Sequence, residues 1–388
     1  MRLAILCIVY SCTLLSACIN GKQKDDSIVY LDTDMDYPKL ELTLKDIAEI
    51  RYIKIGGEEE GLYINENYFD IYFDESRNQI ILGKYIKEPY FIATFDNKGQ
   101  FVRQIGHQGL GPGEFYHSVR LAFNEKKDIL TVFNSSTKKI IQYSSSGEFL
   151  RERTFYNISG FTRIFTFEDK LVLFNLQSQY ASKLDIQPFR DFGWTIRALD
   201  ISTLEDIPIH DHHFQEHFII DDATILNANE GFCLTDKGYL FTSSRSDTTY
   251  LLDYNLKIHP YLIDIKHNRE RGFLLIPTFE TKDFLFLHLV PPSDGKYSSE
   301  HRYYAIRRSD KAIFSCGTNS YFSLFSSNSL CLGREIQSIT PGYGRCVIYK
   351  IFIPSPPNPD FPVPPEVEEL AKDLDDESNP ILMIIKFK

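Results

Sequence analysis

The chain has 388 residues, 43% of them hydrophobic and 14% aromatic, which supplies a large core and argues against a disordered chain. Its net charge of -11, with acids and bases interspersed, leaves no basic footprint and argues against nucleic acid as a partner. Beyond the first residues no stretch is apolar enough for a transmembrane helix.

Arg2 precedes an apolar run from Leu3 to Leu15 that is too short to cross a hydrocarbon core of about 30 Å, so residues 1–17 read as a signal peptide. Leu15-Ser16-Ala17-Cys18 follows, a small-residue cleavage site ending on cysteine. It resembles the lipobox of bacterial lipoproteins, and that resemblance implies a diacylglycerol on the Cys18 thiol and acylation of the new amino terminus. Two or three chains anchor stably where one holds only marginally. Residues 18–40 are expected to be the lipidated cysteine and a tether, polar and aperiodic from Asn20 to Asp26, with the folded body at 41–388. Gln23-Lys24-Asp25-Asp26 resembles the acidic export signal of surface lipoproteins in Bacteroidetes. The expected location is the cell envelope, at the outer membrane, on its periplasmic or its surface face.

Two segments then match: Phe95-Asp96-Asn97-Lys98-Gly99-Gln100-Phe101 and Tyr143-Ser144-Ser145-Ser146-Gly147-Glu148-Phe149, their glycines 48 residues apart. Each is a strand, a polar turn with Gly where positive φ is easiest, and a second strand. Upstream of each lies another alternating hairpin, Phe73 to Leu82 and Phe123 to Phe133, which makes a four-stranded unit. Similar turns recur at Ser202 to Glu205, Asn255 to Lys257 and Arg308 to Asp310, and Cys346 to Ile353 with Ile381 to Phe387 forms a last pair. Six units at intervals near fifty predict an all-β fold, a six-bladed β-propeller of four-stranded antiparallel blades. A β-sandwich with long hairpins is the competing architecture. Strands from both termini, Arg51 to Ile55 and Ile381 to Phe387, are expected to share or adjoin the closing blade. Between them Pro354 to Pro365 reads as polyproline-like, and Glu366 to Leu374 as a short helix started by proline.

Ile105-Gly106-His107-Gln108-Gly109-Leu110-Gly111-Pro112-Gly113-Glu114-Phe115 resembles the blade-linking motif of NHL-type repeats. Together with Leu44 to Ile47, Ser246 to Tyr250 followed by Pro260, and Asp376 to Leu382, it is similar to the six-bladed β-propeller lipoproteins of Bacteroidales. Lys54-Ile55-Gly56-Gly57 departs from the Pro-Leu-Glu-Thr type of ending usual there. That resemblance implies the six-bladed ring and assigns no activity.

The glycines of the linking motif are explained by a chain swinging back from an outer strand to the axis, and the motif lacks the Lys-Ser/Thr and the glycine order of a phosphate loop. Glu114 is a candidate for the axial channel, and Tyr116 and Trp194 are candidates for stacking on a sugar. His210, His212, His213 and His217 form the densest cluster, and His213 with His217 has the i, i+4 spacing that can hold a transition metal on one helical face. A polar loop between blades is the plainer reading of that tract. Cys233, Cys316, Cys331 and Cys346 lack zinc-knuckle spacing and read as buried thiols, with a Cys316 to Cys331 bridge as the alternative. No nucleophile elbow, H-E-x-x-H helix or kinase-like loop is present. The sequence is therefore read as a lipid-anchored, non-catalytic binding or scaffolding module for a glycan, peptide or protein partner, with no cofactor besides the covalent lipid. The alternative is a propeller hydrolase or lyase with a metal at the axial channel.

Overall fold

A computed structural model describes residues 27–57, 61–64, 69–84, 90–117, 119–134, 136–155, 163–174, 196–209, 232–242, 247–265, 274–290, 302–318, 337–340, 343–348, 363–375 and 378–388. These build six antiparallel sheets of four strands each, one of which gains a fifth strand. Sheet one runs Phe69–Asp74, Gln79–Lys84, Phe91–Asp96 and Phe101–Gln104, and sheet two Val119–Asn124, Ile129–Asn134, Lys139–Tyr143 and Phe149–Thr154. Sheet three contains Arg163–Phe167, Lys170–Phe174, Ile196–Asp200 and Asp206–Ile207. Sheet four contains Phe232–Thr235, Gly238–Thr242, Thr248–Asp253 and Ile258–Asp264; sheet five contains Leu274–Glu280, Phe284–Val290, Arg302–Arg307 and Ile313–Thr318.

The sixth sheet is composite. Gln337–Thr340, Tyr343–Ile348 and Ile381–Phe387 come from the end of the chain, and Ala48–Lys54 from its beginning. Ala48 pairs with Phe387 and Lys54 with Ile381, in antiparallel register throughout. The amino-terminal strand thus begins three residues before the expected Arg51. On the other side of Ile381–Phe387, Tyr343–Ile348 begins before the expected Cys346, because Tyr343 pairs with Lys386 near the end of that central strand. Helix α1, Leu44–Ile47, leads into Ala48, with the Thr43 hydroxyl and Asp46 carboxylate 2.7 Å apart at its start. Helix α2, Pro365–Ala371, starts on proline and buries Val367 and Ala371.

The inner strands are buried on both faces and read as near-continuous apolar runs, with Ile129–Asn134 buried at every position, whereas the outer strands Phe101–Gln104 and Phe149–Thr154 are mostly exposed. Six apolar clusters fill the spaces between sheets. Ile81 and Ile92 meet Leu121 and Val132 between sheets one and two; Phe133 and Ile140 meet Leu171 and Leu173 between two and three. Phe174 and Ala198 meet Tyr239 and Phe241 between three and four, where the aromatic rings stack and tilt on one another. Leu240 and Leu262 meet Leu285 and Leu287 between four and five; Phe279 and Phe286 meet Met383 and Ile385 between five and the composite sheet. The sixth cluster joins Ile53, Leu382 and Ile384 of the composite sheet to Ile71, Ile80 and Phe95 of sheet one.

One repeat sits at the end of the third strand. Asp96 accepts the N–H groups of Lys98 and Gln100, Asp200 those of Ser202 and Thr203, Asp253 those of Asn255 and Lys257, and the Ser144 hydroxyl that of Glu148. A short polar side chain that closes its own turn fixes the register of the outer hairpin.

The chain joins the body earlier than residue 41. Val29–Leu31 adds to the outer edge of sheet four as a parallel fifth strand, and Leu40 and Pro38 exchange backbone hydrogen bonds with Ser315 of sheet five. The expected tether of residues 18–40 is therefore corrected at its carboxy-terminal half: Val29 and Leu31 are buried, because their side chains complete the cluster between sheets four and five.

Candidate functional site

First strands touch one another between sheets one and two, two and three, four and five, five and the composite sheet, and the composite sheet and one, which sets the first strands innermost. The Tyr72 hydroxyl donates to the Leu121 carbonyl at 2.7 Å, and the Thr166 hydroxyl donates to the Phe123 carbonyl at 2.9 Å. At the starting end of these strands three charged side chains from three successive sheets converge. Asp70 of sheet one accepts the Leu121 N–H at 2.8 Å, and one of its oxygens lies 3.4 Å from a guanidinium nitrogen of Arg120 and 3.5 Å from one of Arg163. All three side chains are at most 13% exposed. Mutual pairing offsets the cost of burying these charges, since an isolated buried ion is costly.

The glycine-rich link from sheet one to sheet two arrives at the same end, just before Val119. Its turns are held from within. Glu114 accepts the Gly111 N–H at 2.7 Å, Gly109 N–H bonds the Phe115 carbonyl at 2.9 Å, and Gly113 N–H donates to Glu152 at 2.8 Å. The buried Tyr143 hydroxyl donates to the Gly113 carbonyl at 2.5 Å, and Lys139 bridges Glu152 and the Gly111 carbonyl. Burial, with Glu152 and Glu114 nearby, pushes the Tyr143 phenol well above its ordinary value, so it stays a hydrogen-bond donor. The Glu114 carboxylate is thus turned into its own loop.

Beyond the glycines the link exposes its aromatic end. Tyr116 is 43% exposed, and its ring centroid lies 3.8 Å from that of His117, which in turn meets Tyr90 edge-on at 5.7 Å. Asn134 holds the Tyr116 carbonyl at 2.7 Å, so this aromatic step has a fixed base. Leu110, at the tip of the same link, is 69% exposed.

Of the residues singled out by sequence, Glu114 and Tyr116 therefore lie in one loop, which leads into the strand that carries Arg120. Trp194, His210, His212, His213 and His217, together with Cys18, lie outside the described residues, as do Cys331 and the insert up to residue 362. Cys233 and Cys316 are both buried, and burial pushes the Cys233 thiol up. Among the described residues no three His, Cys, Asp or Glu side chains are placed to hold a metal. Sequence reading missed Asp70, Arg120 and Arg163. The signal was present as a charged residue near the start of an otherwise apolar first strand in three consecutive repeats.

Residues 20–191 match the model of the family DUF5128, described as a 6-bladed beta-propeller. Among solved structures, a protein of Bacteroides fragilis assigned as exported superposes with a TM-score of 0.60 at 13% identity, covering 93% of this chain and 99% of its own. A DUF4221 family member from Bacteroides vulgatus gives a TM-score of 0.48 at 11% identity, over 88% of this chain and 97% of its own. No curated protein matches the chain. Six four-stranded sheets, the family match over residues 20–191 and the shared fold of the Bacteroides fragilis protein together make this chain a β-propeller.

Proposed function

We propose that this propeller is a cell-envelope binding module, lipid-anchored through Cys18 at the outer membrane, which presents the starting end of its inner strands to a glycan. Pairing of Ala48–Lys54 with Ile381–Phe387 supports a ring closed by both ends of the chain. The name of the Bacteroides fragilis neighbour supports export. The observation that carries the binding reading is exposed Tyr116, packed with His117 and through it Tyr90, on the loop that leads into Val119–Asn124, the strand whose Arg120 belongs to a set of one carboxylate and two guanidiniums. Aromatic faces stack on the apolar face of a sugar, and fixed polar groups orient its hydroxyls and acidic substituents; a binding site needs both. The loop that carries Tyr116 is rigid, so little ordering opposes binding.

The test is calorimetric titration of the mature protein with neutral and acidic oligosaccharides. Tyr116→Ala is expected to weaken binding at least tenfold with little change in melting, since the side chain lies at the surface rather than in an apolar cluster. A wild-type protein that binds none of the sugars, or a Tyr116→Ala protein that binds them equally, overturns the reading.

A further inference from the structure

The amino-terminal segment ties the leash to one place on the ring. Val29, Tyr30 and Leu31 pair with Leu262, Ile263 and Asp264 of the outermost strand of sheet four. The Thr33 carbonyl then accepts from Arg302 at 3.0 Å and from the Tyr304 hydroxyl at 3.1 Å, both in sheet five, while the Thr33 hydroxyl reaches Asp264 at 3.3 Å. The Tyr37 ring meets Tyr304 edge-on, and Leu40 bonds Ser315. From Val29 onward the chain is therefore a strap across the outer edges of sheets four and five.

We infer that the bilayer faces this edge, and that the link carrying Tyr116, between sheets one and two, points away from it. The inference rests on acylation of Cys18 and on the closed ring proposed above. Val29 lies eleven positions after Cys18, a reach of about 40 Å at most when fully extended. A leash free to residue 40 would reach about 80 Å and leave from the composite sheet instead. The docked strap halves the reach and moves the point of departure to the rim at sheet four. In the cyclic order of the six apolar clusters, sheet one stands three places from sheet four in either direction. Met35 and Ile265, 58% and 42% exposed, lie on the strap edge itself, where Ile265 N–H bonds the Leu31 carbonyl. Apolar side chains there suit a lipid surface.

The test uses the acylated full chain in vesicles containing a dansyl lipid, with the single tryptophan removed as Trp194→Phe and a new donor placed by Ile265→Trp or Leu110→Trp. Energy transfer to the lipid is expected to be at least twofold more efficient from position 265 than from position 110. Adding Leu31→Asp, which puts a charge at a fully buried strap position, is expected to abolish the difference. Acylated protein with equal transfer from the two sites, or stronger transfer from position 110, overturns the inference alone. Protein without acyl mass that does not bind vesicles overturns the Cys18 reading on which it rests.

Discussion

The Asn379 side-chain carbonyl accepts the Ile64 N–H at 2.6 Å, across 315 positions of sequence. Its amide nitrogen donates to the carbonyls of Gly56 and Leu62 at 3.0 and 2.8 Å, and the residue is 1% exposed. One buried amide thus holds the link out of the amino-terminal strand against the segment that enters the carboxy-terminal one. Asn379→Ala leaves three buried backbone groups without that partner and is expected to cost about 1–3 kcal/mol for the first of them and more for the set. Asn379→Asp keeps the acceptor, loses both donors and is expected to fall between wild type and alanine. Urea denaturation monitored by fluorescence measures both.

Gly99 and Gly61 make a contrast that separates collision from backbone strain. Both have positive φ, +82° and +73°, but a Cβ on Gly99 would lie 2.0 Å from the Lys54 carbonyl oxygen, whereas nothing lies within 4 Å of one on Gly61. Gly61→Ala is expected to cost about 1 kcal/mol. Gly99→Ala must also part sheet one from the composite sheet, and its loss of melting temperature is expected to be at least twice as large by calorimetry.

Glu280 is 7% exposed on its side chain and accepts the Asp236 N–H at 2.9 Å, with Arg308 beside it at 3.2 Å. Burial holds its carboxyl above the ordinary range against these partners. A carboxyl raised in the folded state contributes most below its unfolded value, and that contribution is lost as pH rises through the raised value. The Glu280 contribution to stability is therefore expected to fall as pH rises above the ordinary glutamate value, and Glu280→Gln is expected to remove that fall. Melting temperature against pH for both proteins checks this.

Asp310 shows the opposite sign on the surface. The Arg307 guanidinium and the Ala312 N–H hold its carboxyl down at about 2. Its favourable contribution is present above the usual aspartate value and fades as pH falls toward 2. The carboxyl carbon resonance of Asp310 is expected to titrate near that value, and Arg307→Gln is expected to return it toward the ordinary range.

Removing the last eight residues takes out Ile381–Phe387, the strand that pairs with both Ala48–Lys54 and Tyr343–Ile348. Its five leading residues, Ile381 to Ile385, are all buried. The truncated chain is expected to lose cooperative melting rather than melt a few degrees lower.

The repeat was legible because period-two strands, polar turns and the glycines at 99 and 147 are local features. The outer hairpins fall where those turns predicted, and Asp96, Asp200 and Asp253 explain why. The docking of Val29–Leu31 was not legible: three residues carry no periodicity, and only the exposed edge of a strand more than 200 positions away gives them a partner. The converging Asp70, Arg120 and Arg163 were hidden for a related reason. Each charge alone looks like an ordinary surface residue, and they meet only once three repeats are set side by side. Glu114 was marked by its chemistry, but the glycines before it supply the N–H that draws its carboxylate inward.

The composite sheet also orders events in time. The four main strands of each of sheets one to five are consecutive in sequence, so each of these sheets can form as the chain is made, with Val29–Leu31 added later to sheet four. Ala48–Lys54 must wait for a partner that begins at Ile381. Loop-closure entropy opposes that pairing until it is complete, so the final docking is expected to be the slow step of folding. Until it occurs, Ile53 lacks the cover of Leu382 and Ile384, and the unfinished fold is expected to be at its most prone to aggregate.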